Sequence, residues 1–388
     1  MDGLNRHNSI TKTEAYEAFL RRAALLDKPF MVKGSFMTRS YFPKLEQRVP
    51  GDLDWVYLDQ VESSEEVKTL FSNWLKEICQ INLNDGVHFS LPEHHYWFLA
   101  DYALEDDFPT VSGCLKYGIR PESVNQDLDI EISFNLPMKA IPMEQDLKLS
   151  NGEVLRYPLT PSLENQISWK IHQSITRPRF KDFVDLIYMM QSTSFRQSML
   201  DGIIQLLLEE CELNNTNLFL VQSFFEQEYL ELFQLMEVET EWIYWTIPRD
   251  LNNPQSAEAT RLFPGVNIPQ SFYNFMDQAF ELFKLKGFTA DRIQPFLVAK
   301  QNQLVEDKLQ HRKRVKDYLN KKLTRAIYDK QRSLEVKPND PPPREAFNPY
   351  QKNIQSHQAE RIAEQRMTIV KLWVVIGLLV AMLLFILI

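Results

Sequence analysis

The sequence predicts an α+β amino-terminal domain, a helical region after it and one carboxy-terminal transmembrane helix. Three observations carry this. Between Phe30 and Asn135, short runs of alternating apolar residues are separated by Gly, Pro and Asn, as strands are. From Pro161 to about Leu334 the apolar residues recur at helical spacing. The last twenty residues, Ile369 to Ile388, read IVKLWVVIGLLVAMLLFILI with Lys371 as their only charge, enough helix to span about 30 Å of bilayer core.

In chain order, a helix is expected from Lys12 to Leu26, a strand over PFMVK entering a Gly-Ser turn, and a second strand over GDLDWVYL. A helix follows from Glu65 to Ile81, with Leu70, Trp74 and Ile78 on one face. GVHFSL, HYWFLADY, TVSGCLKYGI and DLDIEISFN then read as strands. Helices are expected at 162–176, 179–190, 196–210, 218–245, 271–286 and 291–334. PNDPPPREAFNP stops the last of them, because consecutive prolines have no place inside a helix. The expected divisions are residues 1–192, a mixed-sheet domain; 193–336, a helical domain with a basic segment at 300–337; 337–366, a Pro-rich polar linker; and 367–388, the transmembrane helix.

Composition excludes several functions. Only 11 glycines occur in 388 residues, and no G-x-G-x-x-G is among them. Gly113-x4-Gly118 is followed by Ile119 and Arg120 where a phosphate loop needs Lys and a hydroxyl residue, so a Rossmann site and a Walker ATPase are both excluded. Cys79, Cys114 and Cys211 are too scattered for a zinc knuckle or a redox pair, and His94-His95 point to opposite faces of a strand. The polar amino terminus lacks a secretory h-region. A single-pass carboxy-terminal anchor with the body facing the cytoplasm is expected, in keeping with Arg361, Arg366 and Lys371 before the span.

The formal charge of −9 is a blend of two parts. Residues 300–337 carry twelve cations and five acids, a net +7, which leaves −16 for the rest. A solvated helix face, contact with RNA phosphates and contact with anionic headgroups all suit the basic segment.

The chemistry concentrates between Met31 and Leu58. Asp52 and Asp54 are two apart on a strand, so both carboxylates leave one face while Leu53 and Trp55 leave the other. Such a pair either lies on a solvent face or is neutralised, and a divalent cation shared with substrate phosphates is a common way to neutralise it. Gly34-Ser35, directly after a strand, offers a turn where backbone N–H groups can approach a triphosphate. Asp127, Asp129 and Glu131 share a strand face and offer a third carboxylate. In the helix from Arg179, Asp182 and Asp185 share a face, while Lys170 and Lys181 supply positive charge.

An apolar strand, Gly-Ser, a spacer, D-x-D and a later acidic strand together resemble the signature of polymerase-beta-like nucleotidyltransferases. The longer context is similar to the AbiEii-type abortive-infection toxins. Lys33-Gly34-Ser35, Arg39, Arg48 and Gly51-Asp52-Leu53-Asp54 stand in the first motif. Asp129-Ile130-Glu131 stands in the second, and Glu164, Lys170, Arg177 or Arg179 and Lys181-Asp182-Phe183-Val184-Asp185-Leu186 in the last. The chain departs from the pattern in the sixteen-residue spacer between Ser35 and Asp52, in Asp129 where Lys is usual, and in Glu131 where Asp is usual.

The resemblance implies a polymerase-beta-like mixed sheet flanked by helices and an enzyme that moves an NMP from an NTP onto a hydroxyl of RNA, tRNA above all, or of protein. It implies Mg²⁺, or Mn²⁺, held by Asp52, Asp54 and Glu131, with Glu131 also assisting the attacking hydroxyl. Gly34, Ser35, Lys170 and Lys181 would contact the nucleotide. It further implies a toxin or phage-defence role, an antitoxin partner and, with the anchor, a membrane location. The alternative is a catalytically inactive, membrane-anchored adaptor on the same fold. A glycosidase fits poorly, since carboxylates two apart on one strand cannot flank a glycosidic bond.

Overall fold

The computed structural model describes residues 10–92, 98–100, 109–136, 141–226, 238–248 and 256–303, with a few isolated positions besides. The chain divides into two compact units, Met1–Lys308 and Leu309–Ile388; the sheet, the helices and the cavity lie within the first.

Helix α1 (Lys12–Ala23) starts at Thr11, whose hydroxyl accepts from the Glu14 amide while Glu14 bonds back, so both orphan donors of the first turn are satisfied. Strand β1 (Phe30–Lys33), a short helix α2 (Ser35–Thr38), strand β2 (Leu53–Tyr57) and helix α3 (Ser64–Gln80) follow. Val67, Phe71, Trp74, Leu75 and Ile78 form one buried face of α3, each large side chain contributing about 1.5–3 kcal/mol by burial. Strands β3 (His88–Ser90), β4 (Phe98–Ala100), β5 (Thr110–Gly118) and β6 (Gln126–Ser133) complete the sheet. Its order is β1-β2-β6-β5-β3, with β4 also pairing β5. Only β2 and β6 run parallel among these pairings.

One face of the sheet packs on α1 and α3 through an aromatic cluster. Phe30 stacks on Trp74 at 3.8 Å between centroids, and Trp55 meets Trp74 edge-on at 5.1 Å. The opposite face carries the carboxylates.

Strands β7 (Met143–Lys148) and β8 (Val154–Thr160) form a separate hairpin. The sequence does not announce it, because Met143 and Val154 expose apolar side chains and blur the alternation. A second core follows, built from α4 (Leu163–Thr176), α5 (Phe180–Gln191), α6 (Leu200–Leu213), α7 (Leu218–Glu226), α8 (Val238–Thr246), α9 (Glu258–Leu262) and α10 (Phe272–Leu285). Residues 290–303 are helical as well.

The expected membrane localisation is corrected: among the described residues no helix is long and apolar enough to cross a membrane. The long helices are amphipathic, each burying one face in one of the two cores. The span at 367–388, the linker at 337–366 and most of the basic segment lie outside the described residues.

Candidate active site

Four strands bring the candidate groups into one row. Lys33 is the antiparallel register partner of Asp54, Asp54 the parallel partner of Glu131, and Glu131 the antiparallel partner of Ser112. Directly opposed residues project from the same face, so Lys33, Asp54, Glu131 and Ser112 form a line across the sheet. Asp52 joins it by the period of two along its strand. One ligand oxygen from each of Asp52, Asp54 and Glu131 lies within 4.8 Å of the others.

Gly34 makes this approach feasible. Its backbone, at φ 75° and ψ −154°, occupies a region almost reserved for glycine, and a Cβ there would stand 1.8 Å from Asp54 Oδ2. Ser35, the next residue, keeps its hydroxyl oxygen buried without a hydrogen-bond partner among the described residues. All these groups except Ser112 border one cavity of about 370 Å³, closed on the helical side by α4 and the start of α5.

The carboxylates hold their protons unusually tightly. The Asp52 carboxyl is pushed up to about 6 by the neighbouring Asp54 and by burial. Burial raises Asp54, with Glu131 adding to it, and Lys33 and Lys181 work in the opposite direction. Burial and Asp52 raise Glu131. Lys33 Nζ donates to Ser133 Oγ at 3.3 Å, and Ser133 Oγ lies 3.1 Å from Thr110 Oγ1. Among the described residues neither Lys33 nor Lys181 has a carboxylate within ion-pair distance. An all-oxygen donor set that repels itself and is faced by two such lysines fits a hard divalent cation together with phosphates.

A buried charge network forms part of the cavity wall. Lys170 Nζ donates to Asp182 Oδ1 and sits 2.8 Å from Asp185 Oδ2 as well. Arg179 Nε reaches Asp182 Oδ2 at 2.7 Å, and Arg48 grips both oxygens of Asp185 at 2.8 and 3.2 Å. Burial works against all these charges, but the pairing outweighs it: Asp182 and Asp185 are held below the usual carboxylate range and Lys170 above the usual lysine value.

Residues 18–252 match the family described as nucleotidyl transferase AbiEii toxin, type IV toxin–antitoxin system. The chain belongs to the AbiEii family. It is an NTP-dependent nucleotidyltransferase of toxin–antitoxin type. No curated protein matches the sequence. Similar solved structures include JHP933 from Helicobacter pylori, with a TM-score of 0.37 at 13% identity, covering 75% of this chain and 95% of that one. MenT4, a nucleotidyltransferase toxin from Mycobacterium tuberculosis H37Rv, is similar with a TM-score of 0.39 at 12% identity, covering 71% and 82%.

In this AbiEii chain the residues expected from the sequence take different places. Asp52, Asp54, Glu131, Gly34, Ser35, Lys170 and Lys181 all border the cavity. Lys170 spends two of its three donors on Asp182 and Asp185, which leaves it only partly available to a ligand. Of the acids on β6, only Glu131 joins the cluster: Asp129 pairs with Lys12 at 2.6 Å, and Asp127 with Lys116. Arg39 turns into the protein to meet Glu17 at 3.0 Å and Ser150 at 2.9 Å. Lys33 was legible only as part of a turn, since its register against Asp54 fixes its role in the row. Gln166 and Trp169, also on the cavity wall, give no signal in the sequence beyond a helical face.

Proposed function

We propose that this cavity is where the AbiEii enzyme transfers an NMP from an NTP to a hydroxyl of RNA, tRNA foremost. The observation that carries this reading is the convergence of Asp52, Asp54 and Glu131 beside the Gly34-Ser35 turn. In the proposal Asp52, Asp54 and Glu131 hold Mg²⁺ or Mn²⁺, which when bound neutralises the triphosphate and polarises the α-phosphate. Gly34 leaves the Asp54 carboxylate room against the turn that receives the phosphates. The Ser35 hydroxyl donates to one of them, and Lys33 and Lys181 balance their charge. Lys170 backs them from within its ion network.

Glu131 suits a base, because its carboxylate stands beside the aspartate pair on the cavity wall. It takes the proton of the attacking hydroxyl as the new oxygen–phosphorus bond forms, and pyrophosphate departs with the electrons of the broken bond. A polyanionic acceptor is favoured by the exposed Arg177, at the cavity rim near Lys181. Membership of a toxin family supports an antitoxin partner.

The test is incubation with each NTP, Mg²⁺ or Mn²⁺, and total RNA or protein, following pyrophosphate release and acceptor labelling. Transfer that is unaffected in Asp52→Ala and Asp54→Ala would sink the assignment; labelled protein in place of RNA would overturn the acceptor.

A further inference from the structure

We propose that Gln166 recognises the sugar: its side-chain oxygen accepts a hydrogen bond from a ribose hydroxyl of the bound NTP. The inference rests on the reading that the NTP occupies the cavity of Asp52, Asp54 and Glu131.

Gln166 lies on α4 and is only 4% exposed. Its Nε2 stands 3.0 Å from the Tyr41 hydroxyl and 3.1 Å from the Pro161 carbonyl oxygen. A carbonyl can only accept, so the group facing Pro161 must be the NH₂, and the chemistry fixes which way the amide points. That leaves Oε1 buried and, among the described residues, without a partner, on a residue that forms part of the cavity wall. Among the described residues the other buried partnerless atom on this wall is Ser35 Oγ. Arg39 Nε, Trp55 Nε1 and Trp74 Nε1, similarly placed, do not border the cavity. A buried acceptor left unsatisfied is costly, and a ligand that satisfies it recovers the loss.

The missing partner has to be a donor. An ionised triphosphate has no hydrogen to give, so a hydroxyl or an amine is required. Gln166 shares the cavity wall with Gly34 and Ser35, the turn read as receiving the phosphates. In a nucleotide the group next to the phosphates is the sugar, and it carries hydroxyls. Trp169 lies three residues further along the same wall, about 4.5 Å of helix rise, and is an aromatic group of the kind on which bases stack. That interval suits a sugar over Gln166 and a base against Trp169.

The test is calorimetric titration of the full chain, with Mg²⁺ present, by each NTP and by its 2′-deoxy and 3′-deoxy forms. The wild type is expected to bind the ribonucleotide about tenfold to a hundredfold more tightly than the form lacking the contacted hydroxyl, and the two deoxy series identify it. Gln166→Met is expected to bind all three alike. Should that variant fail to fold, Tyr41→Phe, which removes one of the two bonds orienting the amide, is expected to narrow the preference. Equal binding of all three forms by the wild type overturns the proposal, as does a preference that persists unchanged in the variant that folds. Absence of any NTP binding overturns the cavity reading and the ribose contact together, whereas binding without a hydroxyl preference overturns the ribose contact alone.

Discussion

Gly34 and Asp54 sit so close that a Cβ on the glycine would lie 1.8 Å from the aspartate Oδ2. The missing side chain is therefore space used by a carboxylate. Gly34→Ala is expected to cost about 1–3 kcal/mol through its backbone conformation alone. It should also displace Asp54 from Asp52 and Glu131. Thermal unfolding should show the first effect and a metal titration the second; metal binding at wild-type strength would refute the role given to this contact.

Three carboxylates that repel one another make the metal-free protein sensitive to pH. Asp52 is raised to about 6, mainly by Asp54 and then by burial. A carboxyl with a raised folded-state pKa favours folding most below the ordinary carboxylate range, and that contribution falls as pH rises toward 6. A divalent cation competes with the proton, so Mg²⁺ or Mn²⁺ should raise Tm clearly at about pH 7.5 and little at about pH 5. Asp54→Asn should melt higher than the metal-free wild type at the upper pH and no longer respond to metal. A wild-type Tm indifferent to metal at both pH values would contradict this.

What the sequence could reveal followed from local periodicity. Asp52 and Asp54 share a face because strands repeat every second residue, and Gly34 stood out because glycine is scarce. That Glu131 and not Asp129 meets them depends on β6 lying parallel beside β2, across a connection that contains three other strands. Long-range pairing of that kind leaves no mark on neighbouring residues. Lys170 illustrates the same gap: a lysine near acids reads equally well as a phosphate ligand or as an ion-pair partner, and only the packing of α5 on α4 gives it Asp182 and Asp185.

Lys170 and Lys181 should accordingly respond differently to substitution. Lys170→Met leaves two buried aspartates facing each other without their shared ammonium, a change worth about 3–5 kcal/mol of stability. Their depressed pKa values mean that the network contributes fully at neutral pH and is lost only as pH falls through those low values. Lys181 is half-buried, so Lys181→Met should change stability by no more than about 0.5 kcal/mol while lowering kcat/KM by about a hundredfold. Denaturant titration beside initial rates checks both. Equal melting of Lys170→Met and wild type would remove the structural role.

A last prediction concerns the peptide just ahead of the aspartate pair. Lys12 Nζ contacts Asp129 Oδ2 at 2.6 Å and the Gly51 carbonyl at 3.1 Å, and the Tyr16 hydroxyl donates to that same carbonyl at 2.9 Å. The ion pair is exposed, at 38% and 56%, and as a pair adds about 0–1 kcal/mol. Its position matters more, because Gly51 leads directly into Asp52 and the Lys12 charge favours the ionised Asp52 carboxylate. Lys12→Met should therefore leave Tm nearly unchanged, weaken metal binding and reduce turnover by about tenfold. Asp129→Asn keeps the Lys12–Gly51 contact and should have a smaller effect on both. If the two variants lose metal affinity equally, the ion pair itself, and not the hold on Gly51, sets the geometry of Asp52.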